Sequence, residues 1–235
     1  MTLSISVVVP SFNEETRIER CLASLADQTL PRDEYEVIVV DGGSRDRTRE
    51  IAAGYADRVF VQTNPKVGGA RNDGILAAGA PLVATTDADC VLPRDWVERA
   101  RDDLLREGVV MVYGTVTPVE ATLKNRFSLG LANLASAIGY RTGRLYYTLG
   151  CNSAFRRDAF VEAGMYRTID AGDDLEIARR MVREGRILFD SRLRVGFSMR
   201  RYDQFGTLRS LYQWLYIVRK GGESQKYTYS RREYK

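Results

Sequence analysis

The strongest constraint on this chain is a rhythm in its first ninety residues. Four short apolar runs, at residues 5–10, 36–40, 58–61 and 82–86, are separated by segments patterned for helices. Ile18, Leu22 and Leu25 fall at helical spacing after the first run. Ser44 is placed to cap a helix reaching about Ala56, and Gly68-Gly69 opens a third helix containing Ile75 and Leu76. The runs are continuously apolar rather than alternating, the signature of strands covered on both faces, and the intervening helices supply that cover. The predicted fold is therefore α/β, with a mostly parallel sheet between helical layers. Ligands of such sheets bind beyond the carboxyl ends of the strands. Asp41 follows the second run, and Asp87 and Asp89 follow the fourth, so three carboxylates are expected at one crevice.

Beyond Gly114 the rhythm loosens. A helix is expected over residues 120–140 and a loop entering a short strand over 150–155. An amphipathic helix follows over 174–184, ended by Gly185, with strands at 186–190 and 193–199 and a last helix over 203–219. The length of 235 residues suits one large domain.

Composition removes whole classes of chemistry. There is no histidine, which excludes Ser-His-Asp catalysis, a histidine base and His-ligated zinc. Cys21, Cys90 and Cys151 lack metal-ligand spacing, and their number and separation fit a reducing, cytoplasmic setting. No stretch reaches the roughly 20 apolar residues of a membrane span, and the N-terminus has no signal-peptide pattern. The net charge of +4 is concentrated at one end: residues 200–235 hold nine Lys/Arg and three Asp/Glu, a balance of +6. Aromatic Tyr212, Trp214 and Tyr216 stand beside Arg209, Arg219 and Lys220, which suits a helix lying in a membrane interface. No nucleic-acid partner is expected.

Three acidic groups and one glycine pair could carry chemistry. Asp87-Ala88-Asp89 places two carboxylates at i and i+2 in a tight turn, where both can reach one Mg²⁺ or Mn²⁺. An isolated D-x-D is more often two solvated turn acids; its place at a strand end favours the metal. Asp41-Gly-Gly-Ser44 has an ordinary turn composition. Gly68-Gly-Ala-Arg71-Asn72 could bring backbone amides and a guanidinium to a phosphate. Asp173-Asp174 opens a predicted helix; one acid suffices for capping, so the second is available as a general base.

The ordered set of residues 8–14, 39–46, 69–75, 87–89, 150–156 and 173–174 resembles family 2 glycosyltransferases of the GT-A fold. It is similar to dolichyl-phosphate mannose synthases and to archaeal cellulose-synthase-like membrane mannosyltransferases of N-glycan biosynthesis. The resemblance implies that Pro10, Phe12, Glu14 and Asp41 hold the nucleoside and that Arg71 lies beside the donor. It implies that Asp87, Ala88 and Asp89 meet the metal-bridged diphosphate, with Mn²⁺ or Mg²⁺ on Asp87 and Asp89. Asp174, beside Asp173, becomes the base near the acceptor, where the family carries Glu-Asp, and residues 150–152 line the acceptor side. Arg219, opening a stretch similar to R-x-x-G-x-S-K, would approach the diphosphate. Residues 1–200 would form the catalytic domain, with a nucleotide-binding half to residue 115 and an acceptor half to residue 200. Residues 201–235 would be a basic amphipathic segment leading toward membrane helices.

These resemblances imply an inverting, metal-dependent transferase at the cytoplasmic face of the cell membrane. It would take a nucleotide sugar, GDP-mannose in preference to a UDP-sugar, and a lipid-linked acceptor of the dolichyl-phosphate type. Two alternatives remain at this level. Residues 87–91 also fit the D-x-D-x-V/T nucleophile motif of haloacid-dehalogenase-type phosphatases, and a non-catalytic nucleotide-sugar-binding module would share the donor motifs.

Overall fold

A computed structural model describes residues 3–143 and 148–219. The strands are β1 (Ile5–Ser11), β2 (Tyr35–Asp41), β3 (Arg58–Val61), β4 (Leu82–Thr85), β5 (Val109–Pro118), β6 (Ser153–Arg156) and β7 (Arg186–Phe197). They form one sheet in the order β3-β2-β1-β4-β6-β5-β7. All pairings are parallel except those of β6, which runs antiparallel to both β4 and β5. That reversal has a consequence for the site. Ser153, the first residue of β6, pairs with Thr85, the last of β4, so the segment before β6 lies at the same edge as the Asp87–Asp89 turn.

The strand cores are as continuous as the sequence implies: β1, β2 and β4 are buried at every residue. Alternate side chains feed opposite layers, as a pleated strand requires. Ile5, Val7 and Val9 join one core with Leu22 and Leu25 of α1 (Ile18–Ala26) and Trp96 of α4 (Trp96–Leu104). Val8 joins the other, with Ile75 of α3 (Lys66–Ala77), Phe160 of α6 (Arg157–Glu162) and Met181 of α7 (Asp173–Met181). Helix α3 presses directly on the sheet. A Cβ at Gly74 would stand 2.3 Å from Val8 Cγ1, so glycine is required there by close approach.

Five expectations change. Ser44 caps no helix: α2 is Thr48–Ala53, and the Ser44 hydroxyl turns back to Asp41 instead. β5 is a ten-residue, mostly apolar strand beyond the four expected runs. The two strands expected at 186–190 and 193–199 are one strand, β7, with a bulge between Asp190 and Arg194. A Cβ at Gly114 would lie 1.8 Å from the Leu193 carbonyl, so only glycine on β5 accommodates that bulge. Helix α5 spans Leu123–Thr142, starting three residues later than expected, with Thr122 as its N-cap. The last expected helix is two, α8 (Arg200–Phe205) and α9 (Thr207–Arg219), divided at Gly206 with φ +81°. The side chain of Trp214 and the stretch from Lys220 to Lys235 lie outside the described residues.

Candidate active site

The crevice is built from five chain segments arriving at the carboxyl edge of the sheet. β1 delivers Phe12 and Glu14; β2 delivers Asp41; β4 delivers the Asp87–Asp89 turn. The segment before β6 delivers Gly150, and the first turn of α7 delivers Asp173 and Asp174. The start of α8 closes it with Arg200.

At the β2 side of the crevice, Asp41 is fully buried. It accepts hydrogen bonds from the Gly43 and Ser44 amides (2.9 and 2.7 Å) and from the Ser44 and Ser11 hydroxyls (2.5 and 3.2 Å). Its carboxylate therefore shapes the Gly42–Ser44 turn. Phe12 is 48% exposed, and its ring lies against Gly42. Asn13 sits at φ +53° and ties the two loops together, its amide donating to Ser44 Oγ and its side-chain oxygen accepting from the Arg45 amide. Pro10 is buried within β1 opposite Val40.

The acidic centre is held by two arginines. Arg71, on α3 and almost completely buried, pairs with Asp87 (2.7 Å) and Asp173 (3.3 Å), while its guanidinium rests 5.7 Å from the centroid of the Tyr166 ring. Gly150 covers the opposite side: a Cβ there would come within 2.5 Å of Arg71 Nη1. Burial opposes the Arg71 charge, but Asp87 and Asp173 outweigh it and raise its pKa. Arg200 bridges Glu14 and Asp89, with its Nε 3.2 Å from the latter. Ala88 between the two acids is packed into the core, so only its backbone faces the turn.

These surroundings alter the acids. Burial, then the neighbouring Asp87 charge, pushes Asp89 up to about 7 against the pull of Arg200. Burial also raises Glu14, whose Oε2 is buried without a hydrogen-bond partner. Asp174 is pushed up to about 7, first by burial and then by Asp173. Asp173 is itself raised by burial despite Arg71. Asp174 is aimed by the Gly150 amide (3.2 Å) and the Leu175 amide (2.9 Å).

Asp87 and Asp89 suit a hard divalent cation. Among the described residues no group of three His, Cys, Asp or Glu could hold a metal by itself. A cation here would complete its shell from water or from oxygens of a bound ligand, as Mg²⁺ sites with one or two carboxylates do. Glu14 Oε2, buried without a hydrogen bond and 4.0 Å from Arg17 Nη1, is a further carboxylate oxygen at this centre. The residues present fit such a cation.

Not every expected residue arrives. Asn152 is turned into the core, where it accepts from Trp96 Nε1 (2.9 Å) and donates to the Thr115 and Leu193 carbonyls (2.8 and 2.9 Å). Of the 150–152 segment, Gly150 alone addresses the crevice, through its amide; Cys151 is buried. Arg219 is exposed at the end of α9, and no described contact links it to the crevice. Arg200 and Tyr166 were not legible as site residues. The one available signal for Arg200 was a deficit, since a crevice with this many acids needs a second cation besides Arg71. A cavity of about 360 Å³ opens between the end of β5 and α5, lined by Val116, Pro118, Leu129 and Gly130, with Thr117, Arg126 and Asn133 among its polar groups.

The chain matches the profile described as Glycosyl transferase family 2 over residues 6–164. It is 36% identical over 118 residues to the glycosyltransferase AglE of Haloferax volcanii, a match covering 48% of this chain and 39% of that protein. It is 35% identical over 100 residues to validoxylamine A glucosyltransferase of Streptomyces hygroscopicus subsp. limoneus, covering 40% and 22% of the two chains. The matches thus span well under half the length of these curated relatives. Among solved structures, the mannosyltransferase PcManGT from Pyrobaculum calidifontis, in complex with GDP-Man and Mn²⁺, superposes with a TM-score of 0.73 at 21% identity. That match covers 96% of this chain and 66% of the other. S. aureus TarS 1-349 with UDP-GlcNAc superposes at 0.65 and 20% identity, over 83% and 58%. At these identities the structures show a shared GT-A-like fold.

Proposed function

Because the chain belongs to glycosyl transferase family 2, we propose that it transfers a sugar from a nucleotide sugar to a hydroxyl or phosphate acceptor with inversion at the anomeric carbon. The observation that carries this reading is the placement of two acid pairs on opposite sides of one buried arginine. Asp87 and Asp89 stand at the end of β4, Asp173 and Asp174 at the start of α7, and Arg71 joins them.

The two sides divide the work. Phe12 and the Asp41-organised turn receive the nucleoside, and Asp87 and Asp89 would hold Mn²⁺ or Mg²⁺ against the donor diphosphate. When bound, that cation supplies Lewis-acid stabilisation of the departing nucleoside diphosphate. Arg71 keeps Asp87 and Asp173 in place and adds a fixed positive charge beside the diphosphate. Asp174 takes the proton of the acceptor hydroxyl as it attacks from the face opposite the leaving group. Its raised pKa makes it a stronger base than a free aspartate, and the Gly150 and Leu175 amides fix which oxygen lone pairs remain available. For a phosphate acceptor no proton need be removed, and Asp174 orients the nucleophile.

GDP-mannose is the preferred donor, and the fold likeness to PcManGT, solved with GDP-Man and Mn²⁺, supports it. A UDP-sugar is the second reading, supported by the likeness to TarS with UDP-GlcNAc. The acceptor proposed is lipid-linked, of the dolichyl-phosphate type, met at the cytoplasmic face of the cell membrane; the excess of basic residues from 200 onward supports it.

Thermal unfolding with GDP, UDP, GDP-mannose and UDP-glucose, each with and without Mn²⁺, tests the donor. A ligand at 100 times its Kd adds about 2.7 kcal/mol, or roughly 5–10 °C here. Manganese-dependent stabilisation by guanine nucleotides alone is the expected result. Stabilisation by uracil nucleotides alone selects the second reading, and no shift with any nucleotide overturns both.

A further inference from the structure

Helix α5 is built inside out. At 100° per residue its buried positions Asn125, Leu129, Ser136 and Gly139 cluster on one side. Leu123, Phe127, Leu131, Leu134 and Ile138 fall within roughly 80° of one another on the other side. A surface helix of a globular protein ordinarily turns its apolar stripe inward. Here the outward stripe is the apolar one, with exposures from 52% at Ile138 to 88% at Leu123. Polar groups secure the inner face: Asn133 exchanges hydrogen bonds with the Val116 amide and carbonyl (3.0 and 2.8 Å), and Asn125 donates to the Glu120 carbonyl (2.9 Å). The helix is thus locked to β5 in the orientation that sends five large apolar side chains outward.

Among the described side chains of α9, Ser210 and Gln213 are buried while Leu208, Tyr212 and Leu215 are exposed. It is tethered to α5 through α8, where Asp203 pairs with Lys124 (3.0 Å).

We propose that the outer face of α5 docks this protein onto an anionic phospholipid surface, lying in the headgroup region with its apolar stripe toward the acyl chains. The charge pattern chooses this occupant. α5 carries Arg126 and Arg141, with Lys124 paired to Asp203 of α8, and has no acid of its own; α9 carries Arg209 and Arg219 and no acid. Basic residues thus sit at both ends of the α5 stripe, where their aliphatic stems can lie along the surface while their heads meet lipid phosphates. A second copy of this chain would bring the same cations against themselves, whereas anionic headgroups complement them. Twenty residues make a helix about 30 Å long. Among the described residues no helix is long and apolar enough to cross a membrane, so α5 lies on the surface rather than through it. The inference rests on the membrane-associated part of the proposed function and supplies its contact surface.

Flotation of the full chain with vesicles of phosphatidylcholine alone, or of equal parts phosphatidylcholine and phosphatidylglycerol, tests it. The expected result is binding to the mixed vesicles only, weakened by salt. The triple variant Phe127→Ser, Leu131→Ser, Leu134→Ser should lose at least about tenfold in affinity, while unfolding at the same temperature and keeping the nucleotide-dependent shift. The apolar variant Phe127→Leu, Leu134→Ile should bind as wild type does. Undiminished binding by the triple variant overturns the α5 assignment and leaves membrane association to the C-terminal segment. Absence of wild-type binding overturns both, the donor site being judged separately by the nucleotide shift. A wild-type dimer that the triple variant converts to monomer, without vesicle binding, makes a second copy the occupant and likewise overturns the proposal.

Discussion

Helices α1 and α5 lie on the same sheet and obey opposite rules. In α1 the buried residues are Ile18, Cys21, Leu22 and Leu25, and the polar residues face out. In α5 the buried set includes Asn125, Ser136 and Gly139, and leucines and phenylalanine face out. α1 is held by the hydrophobic effect, and its polarity is spent entirely on folding. α5 is held by Leu129 and Tyr140 together with a few directed hydrogen bonds, and its larger apolar face lies exposed. The packing under α1 is closed, whereas the outer face of α5 leaves five large apolar side chains exposed.

The largest effects should come from the acids that both regions present. Asp174→Asn should lower transfer by about 10²–10⁴-fold, the usual worth of a general base, while donor affinity stays within a factor of a few. Asp87→Asn should instead abolish metal-dependent donor binding. Titration calorimetry with donor and Mn²⁺ separates the two; equal loss of donor binding in both variants would erase the division between the two sides of the crevice.

Packing variants sharpen the contrast between the helices. Leu22→Ala should cost about 2–5 kcal/mol, because it opens a cavity in a closed core. Leu134→Ala on the outer face of α5 should stay within about 0.5 kcal/mol. A comparable loss at both positions, read by urea unfolding, would mean that α5 is packed like α1. Asn152→Ala falls nearer the first value. It strands the Trp96 indole N–H and two carbonyls in the core, at about 3 kcal/mol in total or roughly 6–12 °C in Tm.

The smallest effect concerns protons. Asp89 in the metal-free protein is raised to about 7, so below that pH a cation must displace a proton from it. Mn²⁺ affinity should therefore rise as pH increases, by up to about tenfold per unit below 7, and level off above. The same shift means that the folded protein holds a proton which the unfolded chain has released between about pH 4 and 7. Asp89 thus makes stability fall as pH rises through that window. Calorimetry of Mn²⁺ binding in buffers of different ionisation enthalpy should show proton release at pH 6 and little at pH 8. Pairing with Arg200 is the counterweight, and Arg200→Ala should move the transition to higher pH.

The amino-acid sequence by itself determined the α/β rhythm, the strand-end placement of Asp41, Asp87 and Asp89, and the opening of α7 at Asp173. Each is a local property: a continuous apolar run, a turn composition, a helix period. Only the tertiary structure decided which charges meet. Arg71 reaches Asp173 across 102 residues, and Arg200 reaches Glu14 across 186, pairings that depend on strand order and on the reversal of β6. It also decided that Asn152, read as an acceptor-lining residue, belongs to the core, and that the apolar stripe of α5 points outward. A helical period says that a stripe exists. Which way the stripe faces is settled by the partners on the other side, here Asn133 on Val116 and Asn125 on Glu120, whose hydrogen bonds no local pattern announces.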